Sequence, residues 1–374
     1  MIKIPFNIPF VSGNEITYIN EVISSNTFSS PGIFTKKCEE KLSKITGCKN
    51  IKLTTSCTSA LELAALALDI KAGDEVIVPS FTFVSSANAF ALSGAKLIFL
   101  DINPQTMCLD YSLLKNSISK KTKAVVLVHY AGLTEEVDKI AELCKQKGIF
   151  LVEDAAQSIN SYYNNKHLGT FGDIGCFSFH DTKNIHCGEG GAILINNKSL
   201  THKIEVCFEK GTNRADFLAG KIDNYSWQSL GSSYGLSEIN AAFLYAQLLS
   251  IKKVTTERQK IYTLYQKNLN QLRKKGIIDF PETKNKHNAH IFFIKCNSES
   301  VRNNLLAYLK KNGISAHVHY SPLHKSNMGK QFKFIKSKKD FSLSESKRML
   351  RLPLYCNMPK VNEITKLILN FYYQ

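Results

Sequence analysis

The chain has 374 residues, 44% hydrophobic and 21% charged, with no biased or low-complexity tract. This ordinary globular composition excludes a disordered chain, a fibre and a small disulfide-stapled scaffold. The formal net charge is +17, yet only six of the 48 basic residues are arginines, the first at Arg214. Surfaces that read bases or phosphates favour arginine forks, so no nucleic-acid partner is expected; a positive field does suit a small anionic substrate.

The start, Met1-Ile2-Lys3-Ile4-Pro5-Phe6-Asn7, lacks the pattern of a signal peptide. Apolar runs such as 87–92 and 124–128 fall far short of the ~20 residues a membrane helix needs. The expectation is a cytoplasmic protein with no membrane partner. Ten cysteines are scattered singly with no C-x-x-C pair, as suits free thiols in a reducing compartment. His317 and His319 would share one strand face, but no third ligand stands near them, so no metal site is expected.

In chain order, Thr54-Thr55-Ser56-Cys57-Thr58-Ser59 opens a nearly all-apolar helix over 58–69. Apolar, β-branched strands are predicted at 75–78, 96–100, 124–128, 150–152, 175–179 and 192–195, with a helix at 137–147 between the middle pairs. Strands buried on both faces and alternating with helices imply a mostly parallel sheet covered by helices. After about Gly235 the pattern changes. A long helical stretch runs from 236 beyond 264 with Ile239, Phe243, Ala246 and Leu249 on one face. Strands at 291–294 and 315–319 and helices at 301–309 and 361–371 follow. The fold class is therefore α/β, with a large sheet domain over 1–235 and a smaller α+β domain over 236–374. No linker separates them.

In a parallel sheet, chemistry gathers beyond the carboxyl ends of the strands. Three places stand out there. The strand at 150–152 runs into Glu153-Asp154-Ala155-Ala156-Gln157, where Asp154 can cap a helix or meet a cation. The strand ending at Ser178-Phe179 runs into His180-Asp181-Thr182-Lys183 and then Gly188-Glu189-Gly190-Gly191. That lysine is either solvated or a Schiff-base former. The hydroxyl-rich start of the first helix offers free N–H groups and a dipole, which serve equally as a cap or an anion seat. No G-x-G-x-x-G or P-loop occurs. An amine, a carboxylate and a phosphate seat together are what pyridoxal phosphate requires.

At these residues the chain resembles the DegT/StrS family of sugar-nucleotide aminotransferases. The matching segments include Thr55-Ser56-Cys57-Thr58-Ser59-Ala60-Leu61, Pro79-Ser80-Phe81-Thr82-Phe83-Val84-Ser85, Val128-His129-Tyr130-Ala131-Gly132 and Phe177-Ser178-Phe179-His180-Asp181-Thr182-Lys183-Asn184. His319-Tyr320-Ser321-Pro322-Leu323-His324 and Arg351-Leu352-Pro353-Leu354 match as well, so the resemblance covers nearly the whole length.

The resemblance implies the aspartate-aminotransferase fold (PLP fold type I) and pyridoxal 5'-phosphate as cofactor. It implies Lys183 as Schiff-base lysine and proton shuttle, Asp154 on the ring nitrogen, Gln157 by the ring hydroxyl and Phe83 stacked on the ring. Cys57, Thr58 and Ser178 would hold the phosphate. Ser233, shorter than the asparagine many relatives carry there, would face the partner subunit's cofactor. Arg214, His319 and Tyr320 are candidate substrate contacts. Glu209-Lys210-Gly211-Thr212-Asn213-Arg214 and Gly231-Ser232-Ser233-Tyr234 resemble a subgroup that transfers nitrogen from L-glutamate to C4 of a nucleotide-linked 4-keto-6-deoxy sugar. Relatives that instead deoxygenate a keto sugar carry a histidine in place of the Schiff-base lysine. Homodimers with the cofactor at the subunit boundary complete the expectation.

Overall fold

A computed structural model describes residues 3–373. Its frame is an eight-stranded sheet in the order β1-β9-β8-β5-β4-β2-β3-β12. In chain order these are β1 (Ile51–Thr54), β2 (Glu75–Pro79), β3 (Lys96–Leu100), β4 (Thr122–Val128) and β5 (Phe150–Asp154). After a small hairpin of β6 (Tyr162–Tyr163) and β7 (Lys166–His167) come β8 (Ile174–Ser178) and β9 (Gly191–Ile195). A second sheet joins β10 (Ile278–Asp279), β11 (Phe292–Cys296) and β13 (Met349–Leu352), all antiparallel, while β12 (Lys333–Ile335) leaves that lobe to pair with β3. Within the large sheet β9 alone opposes its neighbours. The α/β class and the mostly parallel sheet are as the sequence predicts.

Alternation along the strands builds two cores. Val76, Val78, Val126 and Val152 face the helix Cys57–Ala67, whereas Ile77, Val125, Leu127 and Leu151 face the helix Val137–Lys147. Both faces are covered, so the strands carry continuous apolar runs instead of an alternating pattern.

Beyond Gly235 the structure departs from the sequence reading. The helical stretch is two helices, Glu238–Leu249 and Ile251–Lys274, separated at Ser250. The first buries Ala241, Ala242, Leu244 and Leu248, while Ile239 and Leu249 lie exposed at 40% and 43%. Its buried face packs on Leu53, Phe177 and Leu194 of the large sheet. The second helix begins in that core at Ile251 and Val254 and ends in the C-terminal core from Ile261 onward. The chain thus passes between cores inside this helix, later than the 235/236 division. Residues 315–319 form no strand; His317 makes a single bridge to Arg351.

Candidate active site

The carboxyl ends of β1, β2, β5 and β8 open onto one cavity of about 500 Å³. Lys183 follows β8 in a loop pinned from several sides. The Phe179 amide donates to the Gly190 carbonyl at 2.8 Å, and the Cys187 amide donates to the Phe179 carbonyl at 2.9 Å. Asn184 Nδ2 donates to the Asn288 carbonyl at 2.8 Å. These bonds fix the backbone on either side of Lys183. The side chain itself is half-buried and lines the cavity, and among the described residues no hydrogen bond or ion pair engages its ammonium. Its pKa lies below that of an ordinary lysine because burial disfavours the charge; Cys57 and Asp154 oppose the shift and Arg351 adds to it. An unpaired lysine biased toward the neutral amine is a nucleophile in waiting.

Asp154 ends β5 at 6% exposure. Its two oxygens are held separately: Ser86 Oγ donates to Oδ2 at 2.6 Å, and the Ala156 amide donates to Oδ1 at 3.1 Å. Behind it, Glu153 points to the opposite face. Burial would raise that carboxyl, but His129 Nε2 at 2.7 Å and the Gly172 and Gly169 amides outweigh it and hold the pKa below the usual range. Two adjacent acids therefore do different jobs: Glu153 ties down the 169–172 turn, and Asp154 faces the cavity.

The phosphate-seat candidate is equally explicit. Ser56 Oγ accepts from the Ser59 amide at 3.0 Å and so caps the helix Cys57–Ala67. Among the described residues the amides of Cys57 and Thr58 have no acceptor. The turn can sit against β9 because position 191 is glycine: a Cβ there would come within 2.4 Å of the Ser56 carbonyl carbon. Burial pushes the Cys57 thiol pKa well up, so its sulfur stays protonated and its amide is the useful group.

Phe83 exposes 56% of its surface although it lines the cavity, which leaves an aromatic face free to cover a flat ring. Gln157 Oε1 accepts from the Ala131 amide at 2.6 Å and Nε2 donates to the Tyr320 hydroxyl at 3.3 Å. Tyr320 stacks on His319, ring centroids 3.9 Å apart and 11° from parallel. Burial lowers the His319 pKa to about 2, with Arg351 and Lys183 adding to the effect, so the imidazole is neutral.

Cys57, Thr58, Phe83, Asp154, Gln157, Ser178, Lys183, His319 and Tyr320 thus meet around one cavity. Arg214 and Ser233 do not. They line a separate recess of about 540 Å³, where Arg214 pairs with Glu209 at 3.6 Å and Ser233 bridges to the Glu209 backbone. The sequence reading gave no role to several further cavity residues, Phe6, Arg258, His290 and Arg351 among them. The scarcity of arginine was the one signal that could have found two of them. Among the described residues no group of three His, Cys, Asp or Glu is arranged to hold a metal.

The sequence pattern of the DegT/DnrJ/EryC1/StrS aminotransferases matches residues 10–368. The chain belongs to this family. Similar solved structures include Helicobacter pylori PseC, an aminotransferase involved in the biosynthesis of pseudoaminic acid, at 26% identity, TM-score 0.86 and 99% coverage of each chain. Spr1654 from Streptococcus pneumoniae in its PMP form is 25% identical, TM-score 0.89, again over 99% of each chain. The family fold also extends to Escherichia coli GDP-4-keto-6-deoxy-D-mannose-3-dehydratase, 22% identical with TM-score 0.88, covering 98% of this chain and 99% of that one. No helix among the described residues is long and apolar enough to cross a membrane.

Proposed function

We propose that this family member transfers the amino group of L-glutamate to C4 of a nucleotide-linked 4-keto-6-deoxy sugar. The substrate would be dTDP-4-dehydro-6-deoxy-D-glucose and the product dTDP-4-amino-4,6-dideoxy-D-galactose, as for dTDP-4-amino-4,6-dideoxygalactose transaminase. The observation that carries the transaminase reading is Lys183, unpaired, in one cavity with Asp154 and the free amides of Cys57 and Thr58. The cofactor is pyridoxal phosphate, and the donor set fits it: an amine for the aldehyde, a carboxylate for the ring nitrogen, N–H groups for the phosphate. When bound, it supplies an aromatic ring that takes up the electrons of a C–H bond broken beside the amine.

The remaining work belongs to the chain. Asp154, fixed by Ser86 and the Ala156 amide, keeps a positive charge at the ring nitrogen. Cys57, Thr58 and Ser178 would seat the phosphate, Phe83 would cover one ring face, and Gln157 would stand by the ring hydroxyl. Lys183 would hold the cofactor's aldehyde through its Nζ and, once freed by substrate, would be the base and acid that moves a proton at the reacting carbon. The face on which that last proton arrives sets the galacto or gluco product. Ser233 and Arg214 fit as contributions to the neighbouring subunit's site in a homodimer. Such an enzyme would be cytoplasmic and would feed cell-surface polysaccharide synthesis.

The decisive assay offers L-glutamate with dTDP-4-keto-6-deoxyglucose or its 3-keto isomer and identifies the sugar formed. The expected result is 2-oxoglutarate and the 4-amino galacto sugar from the first acceptor. Lys183→Ala should lose turnover, and borohydride should attach the cofactor permanently to the wild-type protein alone. A deoxygenated product, or full turnover by Lys183→Ala, would reject the reading.

A further inference from the structure

Beside the cavity, but not lining it, Ser80, His324 and Asp340 form a chain. Ser80 Oγ lies 2.6 Å from His324 Nδ1, and His324 Nε2 lies 3.0 Å from Asp340 Oδ2. Serine, histidine and aspartate in that order suggest a hydrolytic triad. Ser80 is completely buried, however, so no substrate reaches its hydroxyl. The chain is also complete in itself. Burial holds the His324 pKa below the ordinary imidazole value, with Asp340 opposing the shift and Lys325 adding to it, so the ring is neutral. Nε2 then carries the proton that goes to Asp340, and Nδ1 accepts from the Ser80 hydroxyl. Asp340 is steadied in turn, its Oδ1 accepting from the Leu343 amide at 2.9 Å. The imidazole cannot swing, because it lies flat on Phe334 of β12 with ring centroids 3.6 Å apart.

The two segments so joined each carry an aromatic residue of the cavity wall. Ser80 follows β2 directly and stands three residues before Phe83, while His324 stands four residues after Tyr320. Phe83 and Tyr320 both line the cavity, their ring centroids 6.3 Å apart. The 318–322 segment that presents Tyr320 has no regular secondary structure, so no ladder of backbone bonds sets its place. At its end the Leu323 amide donates to the Ser80 carbonyl at 2.8 Å, and the His324 amide donates to Ser80 Oγ at 3.3 Å. With the bond from the Ser80 hydroxyl to Nδ1, two of the three bonds at this corner depend on that hydroxyl.

We propose that His324 is a positioning residue: steadied by Asp340 and clamped to Ser80, it sets where Tyr320 stands relative to Phe83. The consequence for the nucleotide sugar rests on the transaminase function above. A neutral imidazole suits this task because it accepts at one edge and donates at the other across a rigid ring. None of the three residues reaches the cavity, so the chain acts only through the wall it holds. The two substrates depend on that wall unequally. A sugar ring is broad and stiff and needs a fixed width, whereas the slender chain of L-glutamate adapts to a small displacement. Loss of the clamp therefore falls on the binding of the nucleotide sugar and spares the donor half-reaction.

The test uses the cofactor-loaded enzyme and three variants. Ser80→Ala removes only the hydroxyl. His324→Asn keeps an acceptor at the place of Nδ1 and loses Asp340, while His324→Gln keeps a donor at the place of Nε2 and loses Ser80. Ser80→Ala and His324→Gln should each raise KM for dTDP-4-keto-6-deoxyglucose about tenfold, the effect of one buried hydrogen bond. His324→Asn should stay within about threefold of wild type, since it keeps the bond that clamps. The L-glutamate half-reaction, followed by the cofactor's absorbance without sugar, should be unchanged in all three. Hydrogen exchange needs no substrate: the Leu323 and His324 amides should exchange faster in Ser80→Ala than in wild type. Equal KM values in His324→Gln and His324→Asn, or a defect shared equally by both substrates, would overturn the assignment. So would unchanged exchange in Ser80→Ala, or a lowered melting temperature with every KM intact. If wild type takes no nitrogen from L-glutamate but exchange responds as expected, the functional reading falls and the clamp stands.

Discussion

The Asp154 carboxylate is aimed by a relay. Thr82 Oγ1 lies 2.8 Å from Ser86 Oγ, which in turn donates to Asp154 Oδ2 at 2.6 Å, all three residues being buried. Such a chain matters because electrostatic help depends on a charge already held where the transition state needs it. Asp154→Asn keeps the shape but removes the charge, so kcat should drop about 10²–10³-fold. Ser86 is buried behind the cavity lining and is a positioning residue; Ser86→Ala should cost about tenfold in kcat, the worth of one charge-assisted hydrogen bond. Steady-state kinetics at saturating substrate would check both, and Ser86→Thr, which keeps the hydroxyl, should restore the rate. Wild-type kcat in Ser86→Ala would show that the relay is ornamental.

At the scale of elements, the helix Ile33–Thr46 has glycine at its N-cap, and the cap is supplied from a distance. Glu238, 1% exposed, accepts from the Gly32, Phe34 and Thr35 amides at 3.1, 2.7 and 2.9 Å. A Cβ at Gly32 would sit 2.4 Å from the Glu238 carboxyl carbon, so glycine is needed there for space. The same helix carries Glu39, whose pKa burial raises to about 7 against the opposing pull of Lys52 and the Leu53 amide. At Glu39 the folded state therefore holds a proton that the unfolded state has released between about pH 4.5 and 7, and the stability this residue contributes falls as pH rises through that window. Thermal melts from pH 5 to 8 should show Glu39→Gln losing less stability than wild type over this range. Parallel curves for the two proteins would refute the raised pKa.

How far such elements were legible depended on contrast. The six central strands and the helix Val137–Lys147 were readable because apolar runs alternate with polar helix faces. The helix Glu238–Leu249 was misread because it is apolar nearly all round. Small residues, Ala241 and Ala242, make its close contact with the large-sheet core, while the larger Ile239 and Leu249 stay outside. Periodicity weighted the bulky residues, so the face it selected holds at Phe243 and Ala246 and fails at Ile239 and Leu249. β1 and β12 are short edge strands of four and three residues, too brief to carry a pattern. At the site, Asp154 was visible because it ends a strand, and Lys183 because it is the one lysine in the polar loop that follows another. Arg351 was not, since a side chain two residues before a proline in an apolar strand reads as packing.

The whole molecule must hold two lobes in register, because Lys183 and Asp154 come from the large sheet while Tyr320 and Arg351 come from the C-terminal lobe. The joint is at the end of β3. Asp101 is fully buried and accepts from the amides of Phe341 and Ser342 at 2.9 and 2.7 Å and from the Ser342 hydroxyl at 2.7 Å. One carboxylate of the large sheet thus sits at the positive N-terminal end of the helix Phe341–Arg348, which leads directly into β13 and Arg351. Around it, β12 pairs with β3, and Lys295 of β11 reaches the Pro104 carbonyl, so three contacts lock the same edge. Asp101→Ala would leave several buried donors without acceptors at once, and should cost about 3 kcal/mol or more in chemical denaturation. The consequence should also be functional at temperatures where the variant is folded. With the joint loosened, β13 no longer holds its distance from Lys183, so KM should rise for ligands that span both lobes while cofactor affinity, set by the large sheet, is retained. If Asp101→Ala lost stability yet kept every kinetic constant, the capping contact would serve folding only, and the register of the lobes would have to reside in β12 and the Lys295 contact.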